Sequence, residues 1–225
     1  MAATHQTYRK VFGLFLGCLA IASTASAHVV VQELDKMSAA DAALTYLLLG
    51  YQHILPLGFD HILFVLSLFL LSPKLKPIIV QSTAFTVAHS VTLCLAAYHV
   101  VTPPSRVIEP LIALSILYVA LENIFSPKLK PSRIGIVFLF GLVHGLGFAG
   151  ALAEMGLPKN AYFSSLILFN VGVELGQLTV ILTAWFLMAK WFSQKSFYRS
   201  RMVIPLSLII ALTAAYWTVE RIFFV

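Results

Sequence analysis

The chain has 225 residues, of which 60% are hydrophobic and 11% are charged, and its mean hydropathy is +0.91. This composition excludes an ordinary soluble domain, and several apolar runs are long enough to cross a bilayer as helices. The formal charge of +6 does not indicate nucleic-acid binding, because the basic residues lie in short segments between the apolar runs. We therefore predict an all-α polytopic membrane protein that contacts the lipid bilayer and no nucleic acid.

Residues 1–27 have the pattern of a cleavable secretory signal peptide. Arg9 and Lys10 precede an apolar core at 11–23, and Ala-Ser-Ala at 25–27 provides a small-residue cleavage site. The core is short for a membrane span. We therefore predict that this segment is removed.

Cleavage would expose a new N-terminus and leave one cysteine. His28 would become the first residue, where its amino group and imidazole could chelate a metal, although an accidental first residue is the favoured explanation. Cys18 would leave with the signal, so Cys94 would have no partner for an intramolecular disulfide. Residues 28–41 are polar enough to form an exposed N-terminal segment before a helical membrane domain at 42–225.

The first apolar run of this domain is broken by polar residues. Residues 42–55 contain Gln52 and His53, and the run is closed by Pro56 and Gly58. Treating it as a separate span would leave residues 59–71, which are too few to cross the bilayer. We predict an interfacial or re-entrant helix that leads through the Pro/Gly break into the first span.

The hydropathy pattern and the loop charges together predict six transmembrane helices with both termini outside. Basic residues are more frequent in the cytoplasmic loops of membrane proteins. The predicted spans are 57–72, 78–101, 107–125, 134–153, 163–192 and 202–223. The inner segments then hold Lys74, Lys76, Lys128, Lys130, Arg133, Lys190, Lys195, Arg199 and Arg201, whereas the outer ones hold Lys36, Arg106, Lys159 and Arg221. We therefore expect a bacterial inner-membrane protein whose mature N-terminus and C-terminus face the periplasm.

The sequence SPKLKP occurs twice, at 72–77 and at 126–131. Each copy is followed by an apolar helix with the pattern Phe-x-x-x-His, although the spacing differs by one residue between the copies. The repetition is consistent with parallel two-helix repeats of the kind found in transporters. A basic turn used twice is the alternative interpretation.

Imidazoles and carboxylates interrupt the predicted spans. Charged and ionisable groups are costly within a bilayer and usually face a protein interior or a functional site. This combination of ligands suits nickel, cobalt, zinc or iron(II) as a divalent transition metal ion. The candidate metal ligands are Asp60, His61, His89, His144 and Glu174.

Other polar residues are candidates for supporting roles around such a site. Asn170, Glu174 and Gln177 fall at i, i+4 and i+7 and form one helical stripe, and Thr86 lies on the same helical face as His89. His53 could be an outer ligand. Glu109 is also explained as an acid at a helix start, and Glu122 with Asn123 could form a snorkelling surface pair or an inner gate.

Five motifs follow one another along the chain: Gly58-x-Asp60-His61-Ile-Leu-Phe, Phe85-Thr-x-Ala-His89-Ser, Ile112-Ala-x-Ser115 with Glu122-Asn123, Phe140-Gly-Leu-x-His144-Gly-x-Gly-Phe and Phe169-Asn-x-Gly-Val-Glu174-x-Gly-Gln177. Together they resemble the HupE/UreJ family of hydrogenase- and urease-accessory membrane proteins, and they look closest to the branch without a clear hydrogenase or urease association. The resemblance implies a multi-span permease, usually assigned to nickel or cobalt, with Asp60, His61, His89, His144 and Glu174 lining its path.

The leading hypothesis is an inner-membrane permease, not an enzyme, that takes a divalent transition metal from outside and passes it along these residues. Self-association into a homo-oligomer is compatible with the sequence. The main alternative is an intramembrane zinc hydrolase using the same groups with Ser90 or Ser115 nearby, although the chain has no H-E-x-x-H motif. A third interpretation is a non-catalytic metallocentre accessory protein whose polar groups only link helices. A proton relay through the histidines and carboxylates is a further possibility for the same residues.

Overall fold

The computed structural model describes residues 38–148, 150 and 162–224, and these residues form helices without strands. The predicted signal peptide, His28 and most of the exposed N-terminal segment lie outside the described residues. The helices are α1 (Ala39–Ile54), α2 (Phe59–Leu71), α3 (Leu75–Ala97), α4 (Ser105–Phe125), α5 (Arg133–Gly147), α6 (Tyr162–Ala184, extended by a π-helical turn at Trp185–Ala189 and by Lys190–Phe192) and α7 (Arg199–Phe223, which begins with a π-helical turn).

The described helices provide four or five membrane spans. Helices α3, α4, α6 with its extension and α7 are each long and apolar enough to cross a bilayer. Helices α1 and α2 meet at a bend of 66° and together form one broken span or a re-entrant segment. Helix α5 has 15 residues and is short for a span, while the predicted span at 134–153 extends into residues outside the described part. The chain is a multi-pass helical membrane protein, and the count of six spans stays a prediction.

The bend between α1 and α2 follows from its sequence. Helix α1 starts earlier than the apolar run, because the Ser38 side chain accepts a hydrogen bond from the backbone N–H of Asp41 at 3.2 Å. Pro56 cannot continue a helix and disfavours helical geometry in the residue before it. A Cβ at Gly58 would lie 2.1 Å from the backbone oxygen of His53, so only glycine fits this turn. The turn brings His53 close to His61.

Helix α3, which begins within the first SPKLKP copy, and helix α5, which follows the second, pack side by side in parallel. Cβ atoms built at Gly141 and Gly145 would lie 2.5 Å from the backbone oxygen of Phe85 and 2.2 Å from that of His89. Four residues along α5, from Gly141 to Gly145, thus correspond to four residues along α3, from Phe85 to His89. The two helices therefore run in the same direction. Small residues permit such close approach in membranes, and here they place His89 beside the helix that carries His144.

Helix α2 lies among the other helices of the bundle. It contacts α4, α6 and α7, while α1 packs along α6 and α4 packs along α7. The α1–α6 contact also depends on glycine, because a Cβ at Gly50 would lie 1.9 Å from the backbone oxygen of Phe169. The side chains of Phe64, Leu68 and Phe69 on α2 are fully buried. His61, in the first turn of α2, is also buried.

Replacing Gly145 with alanine should destabilise the bundle by about 1–3 kcal/mol, because the new methyl group meets backbone and forces α3 away from α5. Thermal unfolding of the purified protein in detergent measures this effect. Gly135→Ala on the same helix is the matched control, since a Cβ there meets nothing within 4 Å and removal of a helical glycine stabilises by roughly 0.5–1 kcal/mol. Equal melting temperatures for the two variants would contradict the packing described here.

Candidate functional site

Three histidines from three helices meet in the interior of the bundle. His53 lies in the last turn of α1, His61 in the first turn of α2 and His89 within α3. One possible ligand atom from each residue lies within 4.8 Å of those from the other two. The centroids of the His53 and His61 rings are 4.7 Å apart, and those of His61 and His89 are 5.7 Å apart. We call these three residues the histidine cluster.

The Nε2 atoms of the cluster have no hydrogen-bond partner among the described residues. Those of His53, His61 and His89 are all buried. Buried polar atoms are rarely left unpaired in folded proteins, because each loses its hydrogen bonds to water without replacement. A cation bound by the lone pairs of these nitrogens would satisfy them together.

Asn170 orients the ring of His89. Its Nδ2 donates to the backbone oxygen of Leu166 at 2.8 Å, and its Oδ1 lies 3.3 Å from Nδ1 of His89. Because the amide oxygen can only accept, Nδ1 of His89 carries the proton. The Nε2 lone pair is then free to bind a metal, which is the arrangement that outer partners impose on metal-binding histidines.

His144 lies next to the cluster and is oriented in the same way. The Ser115 hydroxyl donates to the backbone oxygen of Ile112 at 2.7 Å and lies 2.8 Å from Nε2 of His144. When the serine proton is on the Ile112 oxygen, Nε2 of His144 donates to Ser115. The Nδ1 lone pair is left buried without a partner in the described part of the chain. The His144 and His61 ring centroids are 5.1 Å apart.

Phenylalanine rings form the walls around these imidazoles. Phe148 packs on His53 with ring centroids 4.0 Å apart, and Phe85 packs on His144 at 4.9 Å. Phe148 also stacks on Phe169, whose side chain is fully buried. Such an apolar shell limits access of water to a metal site.

Asp60 is not part of the cluster, although it neighbours His61 in sequence. Both of its carboxylate oxygens accept from Nη2 of Arg221 at 3.0 Å. Arg221 also donates to the backbone oxygen of Glu109 at 3.2 Å. The structure thus gathers Asp60, Glu109 and Arg221, all predicted to lie on the outer side, at one end of the bundle.

The polar stripe of α6 faces α3. Oε1 and Oε2 of Glu174 accept from the hydroxyls of Thr83 (at 2.7 Å) and Thr86, respectively. Gln177 accepts from Ser82. Glu174 and Asn170 both line a groove of about 290 Å³ between the two helices. Glu174 is therefore one helical turn from the residue that orients His89, but it is not within the group of three ligand atoms.

Glu122 and Asn123 lie at the other end of α4, away from the histidines. Arg133 at the start of α5 is 1% exposed and forms an ion pair with Glu122 at 3.1 Å. It also donates to Oδ1 of Asn123 at 3.2 Å, and Asn123 donates to the backbone oxygen of Ser67 and to Ser207. This buried polar cluster ties α2, α4, α5 and α7 together. It does not face the histidine cluster.

The structure therefore divides the candidate residues into separate groups. It brings together His53, His61 and His89, with His144 beside them and Asn170 behind them. It places Asp60 with Arg221, Glu174 with the threonines of α3, and Glu122 with Arg133. The turn at 55–58 places His53 in the cluster. In the sequence, the Pro/Gly break was the feature that indicated this turn. Nothing in the sequence singled out the pairing of Asp60 with Arg221.

The fold and this site define a multi-pass helical membrane protein with a buried group of histidines. A family model described as "HupE / UreJ protein" matches residues 25–221, and the chain therefore belongs to the HupE/UreJ family, as its motifs indicated. Comparisons with curated proteins and with solved structures found no significant match.

Replacing Asn170 with alanine should lower the affinity for a bound metal about 10–100-fold, the usual effect of losing a partner that orients a ligand. Without the amide oxygen, Nδ1 of His89 no longer has to carry the proton. Titration of the purified protein with cobalt, followed by its absorption spectrum, measures the affinity. Gln177→Met, on the same stripe but bonded to Ser82, should leave the affinity unchanged. Equal affinities for the two variants would contradict the role given to Asn170.

Proposed function

We propose that this protein is an inner-membrane permease for a divalent transition metal, with nickel or cobalt as its substrate. The observation that carries the proposal is the histidine cluster, whose three buried Nε2 atoms lack partners in the described structure. Imidazole ligands favour nickel, cobalt and zinc over magnesium or calcium, which prefer oxygen ligands. Membership of a family associated with hydrogenase- and urease-accessory proteins also supports a role in metal handling.

In this proposal the metal binds first at His53, His61 and His89, and His144 provides the next ligand. The Nδ1 lone pair of His144 is buried beside His61, so a shift of the ion toward α5 exchanges one imidazole for another. A ligand set built from imidazoles alone binds less tightly than one that adds carboxylates, because it has no charge of its own. Weaker binding suits a permease, whose substrate must also leave the site.

Asp60 and Glu174 act around the cluster in this mechanism. The ion pair of Asp60 with Arg221 fixes the start of α2 against α7 on the outer side, and thereby fixes the position of His61. Glu174 gives negative charge to the groove between α3 and α6, next to Asn170. A cation that approaches the cluster through this groove would meet that carboxylate first.

Uptake of radioactive nickel or cobalt tests the function directly. Cells that lack other importers should accumulate the metal when they express the wild-type chain, and should lose this accumulation when His61 and His89 are both replaced with alanine. Uptake that persists in the double variant would refute the proposal. Replacing exposed His99 with asparagine is the matched control, because it removes an imidazole that lies outside the cluster.

The zinc hydrolase is less well supported by the geometry. A water-activating zinc site needs a base near the metal, but both carboxylate oxygens of Asp60 accept from Arg221 and both of Glu174 accept from threonines. The Ser115 hydroxyl lies 2.7 Å from the backbone oxygen of Ile112, which competes with His144 for its proton. Tight stoichiometric zinc together with hydrolytic activity would favour the hydrolase over the permease.

A further inference from the structure

The two SPKLKP copies meet at one cavity. Its volume is about 290 Å³, and it lies where α3 and α5 begin. Lys76 and Pro77 of the first copy line it together with Leu129, Lys130 and Pro131 of the second. The parallel packing of α3 and α5 places the copies side by side, so the second lysine of each copy contributes to the same cavity. The metal site uses none of these residues.

The charge of this cavity is positive. Lys76 and Lys130 line it and are exposed, whereas the charge of Arg133 is offset by its ion pair with Glu122. None of the residues that line the cavity is acidic. An anionic group placed between the two lysines would therefore meet two uncompensated cations.

The walls of the cavity are apolar and continue onto the lipid-facing surface. Val80 and Ile134 line the cavity and are 46% and 42% exposed on helices that cross or enter the bilayer. A small soluble anion would leave these walls without a partner. An acyl chain would cover them while its headgroup stays at the level of the helix ends.

A buried acceptor in the same cavity also lacks a partner. Gln81 is 1% exposed, and its Nε2 donates to the backbone oxygen of Pro77 at 3.0 Å. Its Oε1 has no hydrogen-bond partner among the described residues. A headgroup hydroxyl could donate to this oxygen.

We propose that this cavity binds an anionic phospholipid with a glycerol headgroup, phosphatidylglycerol, with its phosphate between Lys76 and Lys130. Basic pockets between transmembrane helices on the cytoplasmic side bind the headgroups of other anionic lipids, such as cardiolipin. The inference rests on the predicted inner location of the SPKLKP copies and is independent of metal transport.

Native mass spectrometry of the full-length protein in detergent, with added phosphatidylglycerol or phosphatidylcholine, tests the inference. The wild-type protein should retain phosphatidylglycerol and not phosphatidylcholine. The double variant K76A/K130A should bind phosphatidylglycerol roughly thirtyfold more weakly, since each lysine near an anionic lipid contributes about a factor of five. Both lysines are exposed, and circular dichroism checks that the variant is folded.

The repeat provides a matched control. Lys74 and Lys128 are the first lysines of the two copies, are exposed and do not line the cavity, so K74A/K128A should retain the lipid. Equal losses in the two double variants would overturn the proposal in favour of a general surface charge effect. Equal retention of the two lipids by the wild-type protein would also overturn it. Displacement of the lipid by glycerol 3-phosphate would show a site for soluble anions instead.

Discussion

Replacing His61 with alanine should lower the affinity of the purified protein for nickel or cobalt by more than about 100-fold. Loss of a partner that only orients a ligand typically costs about 10–100-fold, and here a ligand itself is removed from the centre of the cluster. The ring of His61 lies next to those of His53, His89 and His144, so its removal takes away the imidazole that all the others adjoin. Equilibrium dialysis followed by elemental analysis measures both affinity and stoichiometry.

Stability in the absence of metal distinguishes loss of a ligand from loss of the fold. Nε2 of His61 is buried and has no partner in the described structure, so its removal relieves the cost of an unpaired polar atom. The metal-free His61→Ala protein should therefore melt near the wild-type temperature. Metal should raise the melting temperature of the wild-type protein only, because binding to the folded state is stabilising. Wild-type affinity in this variant would show that the cluster does not bind the ion.

Replacing Arg133 with methionine should destabilise the protein by about 3–5 kcal/mol, the usual effect of removing one partner of a buried ion pair. Arg133 is 1% exposed, and its loss would leave the largely buried carboxylate of Glu122 unpaired. Chemical denaturation in detergent micelles measures the difference.

A second substitution tests the cause of this effect. The double variant R133M/E122Q should recover part of the lost stability, because neither change then leaves an isolated buried charge. Arg106→Met is the control, since Arg106 is exposed at the start of α4 and surface changes usually alter stability by less than about 0.5 kcal/mol. If the single and double variants were equally unstable, the role of the ion pair would be refuted.

The sequence indicated the importance of His61 but not that of Arg133. His61 stood out because an imidazole at the start of an apolar helix is costly unless it faces the protein interior. Arg133 was predicted only as one of several basic residues on the inner side, since positive charge at a helix end is common there. Its burial against Glu122 and Asn123 depends on contacts between separate helices, which hydropathy does not encode.

The sequence by itself determined the class of protein and its approximate helix boundaries. Apolarity over the length of a bilayer is a local property, and prolines and glycines mark helix ends by their own backbone geometry. The polar stripe of Asn170, Glu174 and Gln177 was likewise predictable, because helical periodicity alone places those residues on one face. The family also followed from local motifs.

Only the tertiary structure decided which polar groups meet. The turn at 55–58 brings His53 to His61, and the glycines of α5 bring His89 to them by allowing α3 to approach. The acids predicted as ligands are engaged by Arg221 and by the threonines of α3, which lie far from them in sequence. The meeting of these side chains depends on packing between helices that are distant along the chain. Such packing involves contacts between two helices, which the sequence of either helix alone does not reveal.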